Sequence, residues 1–223
     1  MTLQHVDILF QVIVFVFAIS VHESAHAWMA NRLGDPTARM LGRITLNPIK
    51  HIDLFGTVLL PLMALIAHIP MLGWAKPTPV DPRNFKHPVR DDILTAVVGP
   101  ISNFIVAGLA TAVLVIIKIG SPFGHDVVMG DVSLESSSIL VPVCLLVYEL
   151  MQINVVLAVF NLIPVPPLDG SHVLRHFLPA EMLRIYDTVG WMGLLALVYF
   201  GGGILQHLLD PFLSVFNYVL YRI

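Results

Sequence analysis

Residues Ile8 to Ala30 form an apolar run long enough to cross a bilayer, and one turn of that run reads His22-Glu23-Ser24-Ala25-His26. A membrane span needs about 20 predominantly apolar residues. Further runs of that order cover 91–118, 139–163 and 188–209. All are continuous rather than alternating, which disfavours a β-barrel and points to an all-α polytopic membrane protein. Composition agrees, since 57% of the 223 residues are hydrophobic and only 12% are charged, too few to clothe a soluble domain. The lipid bilayer is therefore the first partner. No basic stripe accompanies the net charge of -3, so no nucleic acid is expected. The single Cys144 rules out an intramolecular disulfide.

Charge orders the runs. Arg32, Arg39, Arg43 and Lys50 follow the first run, and Arg175 and Arg184 follow the third of the four. Both ends should face the cytoplasm. The loop 119–138 carries Asp126, Asp131 and Glu135 without Lys or Arg, which marks it as external. A further apolar stretch, 54–72, has basic residues on both flanks and is interrupted by Pro61 and Pro70. It fits the charge pattern only if it re-enters or bends without crossing. The absence of Lys and Arg from Met1–Asp7 argues against a cleavable signal peptide, so the first span is expected to be retained.

The expectation is thus about five apolar segments, four spans plus one re-entrant or bent hydrophobic segment, within a single integral membrane domain over 1–223. Its parts are a metal-binding helix 8–30, a membrane-associated hairpin and re-entrant region 39–80, a span 91–118, an external loop 119–138, a span 139–163 with its continuation 164–170, a span 188–209 and a C-terminal interfacial segment 211–223, for which packing on the bundle is the alternative. Glycines and prolines at 42–48 and 73–80 suggest short extended or β-hairpin elements at the cytoplasmic face.

Ionisable groups inside a span are costly and mark functional sites. On a helix, residues four apart lie one turn apart on the same face, so His22 and His26 can aim both imidazoles at one point. That makes a zinc-ligand pair, with Glu23 beside it as a general base. A hydrolytic zinc wants a third protein ligand. Asp169 is the best candidate, in Asn161-Leu-Ile-Pro-Val-Pro-Pro-Leu-Asp169-Gly170, where prolines end the helix and can aim a carboxylate inward. His172 and His176 are rivals, being four apart themselves. Asn103 and Asn154 read as interhelical hydrogen-bonding groups. Asp91 and Asp92 suit the start of the second span.

Together His22-Glu23-x-x-His26, Gly99-Pro100-x-x-Asn103 and Asn161-x7-Asp169-Gly170 resemble the site-2 protease family of intramembrane zinc metalloproteases (peptidase family M50). The resemblance covers about residues 8 to 180, in a compact form whose loops leave no room for PDZ or CBS domains. It implies one zinc ion per chain held by His22, His26 and Asp169. It also implies that Glu23 activates the attacking water and that Asn161 assists at the substrate carbonyl or its oxyanion. The substrate it implies is a transmembrane segment of another protein, unwound and laid as a strand on the segments 42–48 and 73–80. The protein would sit in the cell (inner or cytoplasmic) membrane with its site near the cytoplasmic face. A polytopic metal transporter or scaffold is the competing class, and Glu23 separates the two: only a hydrolase needs a non-ligating carboxylate beside the first His.

Overall fold

In the computed structural model, which describes residues 3–59, 63, 75–132 and 138–222, long helices dominate. Helix α1 runs Leu3–Leu33, α2 Thr37–Met40, α3 Pro88–Gly120, α4 Pro122–Met129, α5 Leu140–Asn161, α6 Asp169–Arg175, α7 Ala180–Phe200 and α8 Gly202–Arg222. Four of these are long and apolar enough to cross a membrane: Ile8–Leu33 of α1, α3, α5 and α7. Among the described residues the four expected spans are found, and the first three lie within a few residues of their expected limits.

Helices α1, α3 and α5 pack on one another and form the centre of the bundle, and α6 and α8 dock on it. Ala107, Val155 and Val159 make one core between α3 and α5, closed by Phe104, Leu209, Leu213 and Phe216. Leu114, Cys144 and Leu220 make a second. Helix α3 starts as its sequence suggests, with Pro88 in its first turn and the Asp91 carboxylate accepting the His87 N–H at 2.9 Å. Asp92 turns elsewhere.

Two expectations need correction. The expected span 188–209 is two helices: α7 begins at Ala180 after Pro179, and the chain breaks at Gly201 before α8. Gly201-Gly202-Gly203 supplies that break, because glycine is costly in a helix interior. The residues expected to lie along the interface, 211–223, belong through Arg222 to α8, which packs on the bundle. Its Leu220 is fully buried, and Lys118 of α3 donates to the Leu220 and Tyr221 carbonyls at 3.0 and 3.3 Å. A lysine thereby satisfies carbonyls that the end of α8 would leave open.

The expected β-hairpins are also absent: no strand occurs among the described residues. The connectors instead hydrogen-bond to α1 and to each other's turns. Pro48–Lys50 and Pro82–Asn84 are single 3-10 turns, and Leu54–Leu59 is a π-helical turn. Most of the stretch 54–72 lies outside the described residues, and with it the expectation of a re-entrant path. Residues 75–81 are irregular and carry Pro77 and Pro79, which have no N–H to give a ladder.

Asp35 ties this connector face together. Fully buried, it accepts from the Thr37 N–H, the Thr37 hydroxyl, the Asn84 amide and, at 2.8 Å, the Asp81 N–H. Burial alone would raise its pKa, but these donors hold the carboxyl below its usual range.

Candidate metal centre

The two histidines of α1 are held from behind by α3. His22 Nδ1 stands 2.6 Å from Asn103 Oδ1, and His26 Nδ1 stands 2.6 Å from the Thr95 carbonyl. A carbonyl only accepts, so His26 carries a proton on Nδ1. The amide of Asn103 is oriented in turn. Its nitrogen donates to Asn154 Oδ1 at 2.7 Å and to the Ala18 carbonyl, and Asn154 donates to the Leu150 carbonyl. Asn103 therefore offers oxygen to His22, which donates from Nδ1 as well. Both rings are left with their Nε2 lone pairs pointing forward.

Those lone pairs converge. His22 Nε2 and His26 Nε2 are 3.0 Å apart, and Asp169 Oδ2 stands 3.0 Å from the first and 3.3 Å from the second. Asp169 Oδ2 reaches ion-pair distance yet makes no hydrogen bond, and it is buried. Three electron-pair donors at such separations repel one another unless a cation lies between them. One proton can bridge only two of them. A tetrahedral ion with ligands at about 2.0–2.1 Å would hold its donors roughly 3.3 Å apart, close to the spacings found. Each imidazole also passes its other N–H to an oxygen, the outer support typical of metal-ligating histidine. The donor set therefore fits zinc, and among the described residues it is the one group of three such side chains whose ligand atoms all lie within 4.8 Å of one another.

Glycines make the convergence possible. A Cβ at Gly99 would stand 2.6 Å from His26 Cε1 and 2.7 Å from His22 Cε1. The same Cβ would run into His26 Nε2 itself, so only a residue without a side chain lets α3 pass directly against both rings. At Gly170 a Cβ would run into the Leu162 carbonyl oxygen, so Gly170 lets α6 fold back against the end of α5 and carry Asp169 inward.

Glu23 is near this cluster but outside it. Its Oε2 accepts from the Thr78 N–H and hydroxyl, both at 2.8 Å, which pins the segment 75–81 to α1. The neighbouring Ser24 hydroxyl donates to the Thr45 carbonyl at 2.9 Å and pins 42–48 in the same way. Both connectors are thus fastened to the HExxH turn itself.

The remaining expected residues lie apart from the triad. The Asn161 amide donates to the Leu157 carbonyl one turn back at 2.9 Å, so its nitrogen is engaged with its own helix. His172 and His176 face Asp92, not the two imidazoles of α1. Sequence reasoning treated Asn103 and Asn154 as helix-to-helix contacts without seeing that they orient His22. The Thr95 carbonyl and Thr78 were missed altogether. A backbone carbonyl leaves no mark in a sequence, and Thr78 could have been suspected only from its place between two prolines.

Comparison with known proteins agrees with this geometry. A family model described as "Peptidase family M50" matches residues 10–198. The chain is 38% identical over 169 residues to "Putative zinc metalloprotease YwhC" of Bacillus subtilis (strain 168), an overlap spanning 75% of this chain and 68% of that one. No solved structure is significantly similar to it.

Proposed function

The chain belongs to peptidase family M50, and from that membership we propose that it is a membrane-embedded zinc endopeptidase cutting in or near the transmembrane segments of other membrane proteins. The observation that carries the reading is the meeting of His22 Nε2, His26 Nε2 and Asp169 Oδ2 within 3.3 Å of one another, inside a bundle of helices long enough to span a bilayer. The name of the Bacillus subtilis relative supports zinc as the metal.

One zinc ion per chain, held by those three atoms, would supply Lewis acidity and make water a stronger acid. Glu23 is the general base. Thr78 holds one of its oxygens, and the other takes the proton of the attacking water and delivers it to the departing amine. Asn161 steadies the substrate carbonyl as negative charge gathers on its oxygen, which requires its amide to leave the Leu157 carbonyl. The substrate helix must unwind first, since a helical peptide bond is enclosed by its own backbone hydrogen bonds. Pro77 and Pro79 leave the 75–81 segment short of N–H donors, so an unwound substrate laid beside it would supply donors to its carbonyls.

By the charge of its loops the protein sits in the cell membrane with this site toward the cytoplasm, the whole of 1–223 acting as one domain. A metal transporter or scaffold would have no use for a carboxylate fixed beside the ligands but not among them. The test is Glu23→Gln in purified protein and with a co-expressed membrane substrate. Zinc content should stay at the wild-type level while cleavage disappears. Continued cleavage by that variant would overturn the proposal.

A further inference from the structure

Asp169 is only as well placed as the short helix that carries it. Helix α6 has seven residues and follows a proline-rich stretch, so its own backbone hydrogen bonds fix its position weakly. Asp169, His172 and His176 are spaced i, i+3 and i+7, which puts them on one side of α6 or its immediate continuation. The two histidines meet a single carboxylate on α3. His176 Nε2 lies 2.8 Å from Asp92 Oδ2, and His172 Nδ1 lies 3.3 and 3.4 Å from the two oxygens of the same group. The Asp92 side chain is 13% exposed, which strengthens hydrogen bonds that water would otherwise compete for.

Asp92 also belongs to a pattern on α3. Positions 92, 95, 99 and 103 form one stripe, advancing by three, four and four residues. Asn103 orients His22, the Thr95 carbonyl orients His26, and Gly99 gives both rings their room. Two of the three converging side chains are thus referenced to α3 by direct hydrogen bonds. The third, Asp169, has no such bond. Its helix has Asp92.

We propose that Asp92 is a positioning residue for the metal-binding carboxylate: by gripping His172 and His176 it sets the rotation and height of α6 on α3 and so brings Asp169 to the two imidazoles. The proposal rests on reading His22, His26 and Asp169 as a zinc site. Asp92 touches neither metal nor substrate and works through α6. The paired histidines, once rival candidates for the third ligand, become the handle by which the actual candidate is held.

The experiment uses full-length purified protein loaded with zinc or cobalt(II), with zinc affinity read by chelator competition and ligand geometry by the cobalt absorption spectrum. Asp92→Ala and His176→Ala should each weaken zinc binding about ten-fold, as loss of an outer support does, and should alter the cobalt spectrum. The double variant should be no weaker than the worse single one, because both break the same grip. His176→Gln keeps an N–H donor and should bind zinc nearly as the wild type does. If Asp92→Ala fails to fold, the contrast between His176→Ala and His176→Gln decides the matter alone. Zinc affinity within two-fold of wild type and an unchanged cobalt spectrum in the alanine variants would overturn the proposal. Asp169→Ala is the control for the premise. If it loses zinc while Asp92→Ala keeps it, positioning alone fails; if it keeps its zinc, the metal reading fails and takes this proposal with it.

Discussion

Gly99→Ala adds one methyl group, ordinarily a benign change in a helix, at the place where the structure leaves no room for it. The new carbon would stand 2.6 Å from His26 Cε1 and 2.7 Å from His22 Cε1, where ordinary contact begins at 3.4 Å. Something must open by at least ~0.8 Å at the ring carbons, and by more at His26 Nε2, which the new carbon meets first; that exceeds the ~0.5 Å within which a catalytic constellation must be held. The rings cannot simply retreat with their anchors in place. Their Nδ1 atoms are bound to Asn103 and Thr95, on the same helix as the intruding methyl, so withdrawing them from Gly99 lengthens two buried 2.6 Å hydrogen bonds. Overpacking of this kind costs about 1–3 kcal/mol, against the ~0.5–1 kcal/mol that alanine normally gains over glycine in a helix. Misplacement of reacting groups by about 1 Å can cost ~100-fold in rate. We therefore expect zinc affinity to fall by 10–100-fold and kcat/KM on a membrane substrate by about 100-fold. The assay is chelator competition on the purified variant, followed by cleavage of a reconstituted substrate and a thermal unfolding curve. Gly108→Ala is the internal control, because nothing lies within 4 Å of a Cβ there. It should leave zinc and cleavage unchanged and unfold at the same temperature or slightly higher. Wild-type zinc affinity and cleavage in Gly99→Ala would refute the claim that α3 is pressed against both rings.

Two more outcomes follow from the same structure. Asn103→Ala strips His22 Nδ1 and Asn154 Oδ1 of a partner in a buried setting, which should cost about 1–3 kcal/mol per stranded group and weaken zinc by 10–100-fold, measurable by unfolding and by chelator competition. Asp35, whose carboxyl is held below its usual range by Thr37, Asp81 and Asn84, should give the connector face an acid-sensitive stability. The sign follows from linkage: a depressed folded-state pKa stabilises above the unfolded value of about 3.9 and loses that contribution as pH falls through the folded-state value. Limited proteolysis near 36 and 81–84 should therefore accelerate below about pH 4 in the wild type. Asp35→Ala should already be cut quickly at neutral pH.

The parts of this architecture legible in the sequence were those that depend on local chemistry. Apolar length announced the four spans, and a His pair one helical turn apart announced the centre of the site. Asp169 was reachable because prolines and Gly170 mark a place where a carboxylate can turn inward. What escaped depends on partners far along the chain. Asn103 is 81 positions from His22, and nothing in its neighbourhood distinguishes a ligand-orienting amide from a helix contact. The tail at 211–222 has the aromatic, apolar character of an interfacial segment, and only the groove between α3 and α5 explains why it packs instead. Residues 42–48 carry turn formers, which suggested a hairpin. Their N–H groups close local turns on Ala38, Arg39 and Arg43, and the Thr45 carbonyl meets Ser24 of α1 and His51 where a partner strand would have stood.

An apolar bundle can carry this many polar groups only if nearly all of them are answered from within, because an unpaired polar atom away from water is expensive. Around the HExxH turn the answers can be traced one by one. The rear nitrogens of both histidines, the amides of Asn103 and Asn154, the Ser24 hydroxyl and one oxygen of Glu23 each have a partner at hydrogen-bonding distance. The two forward nitrogens and Asp169 Oδ2 are different, for they face only one another. A scaffold selected for stability alone would gain by replacing such a trio with well-packed apolar side chains. Keeping it makes sense only if a cation completes it. Under the proposed function, the Glu23 oxygen that Thr78 does not hold is the one left to serve as base for water admitted to the site. The zinc proteolysis proposed above is the use that would answer these three converging atoms.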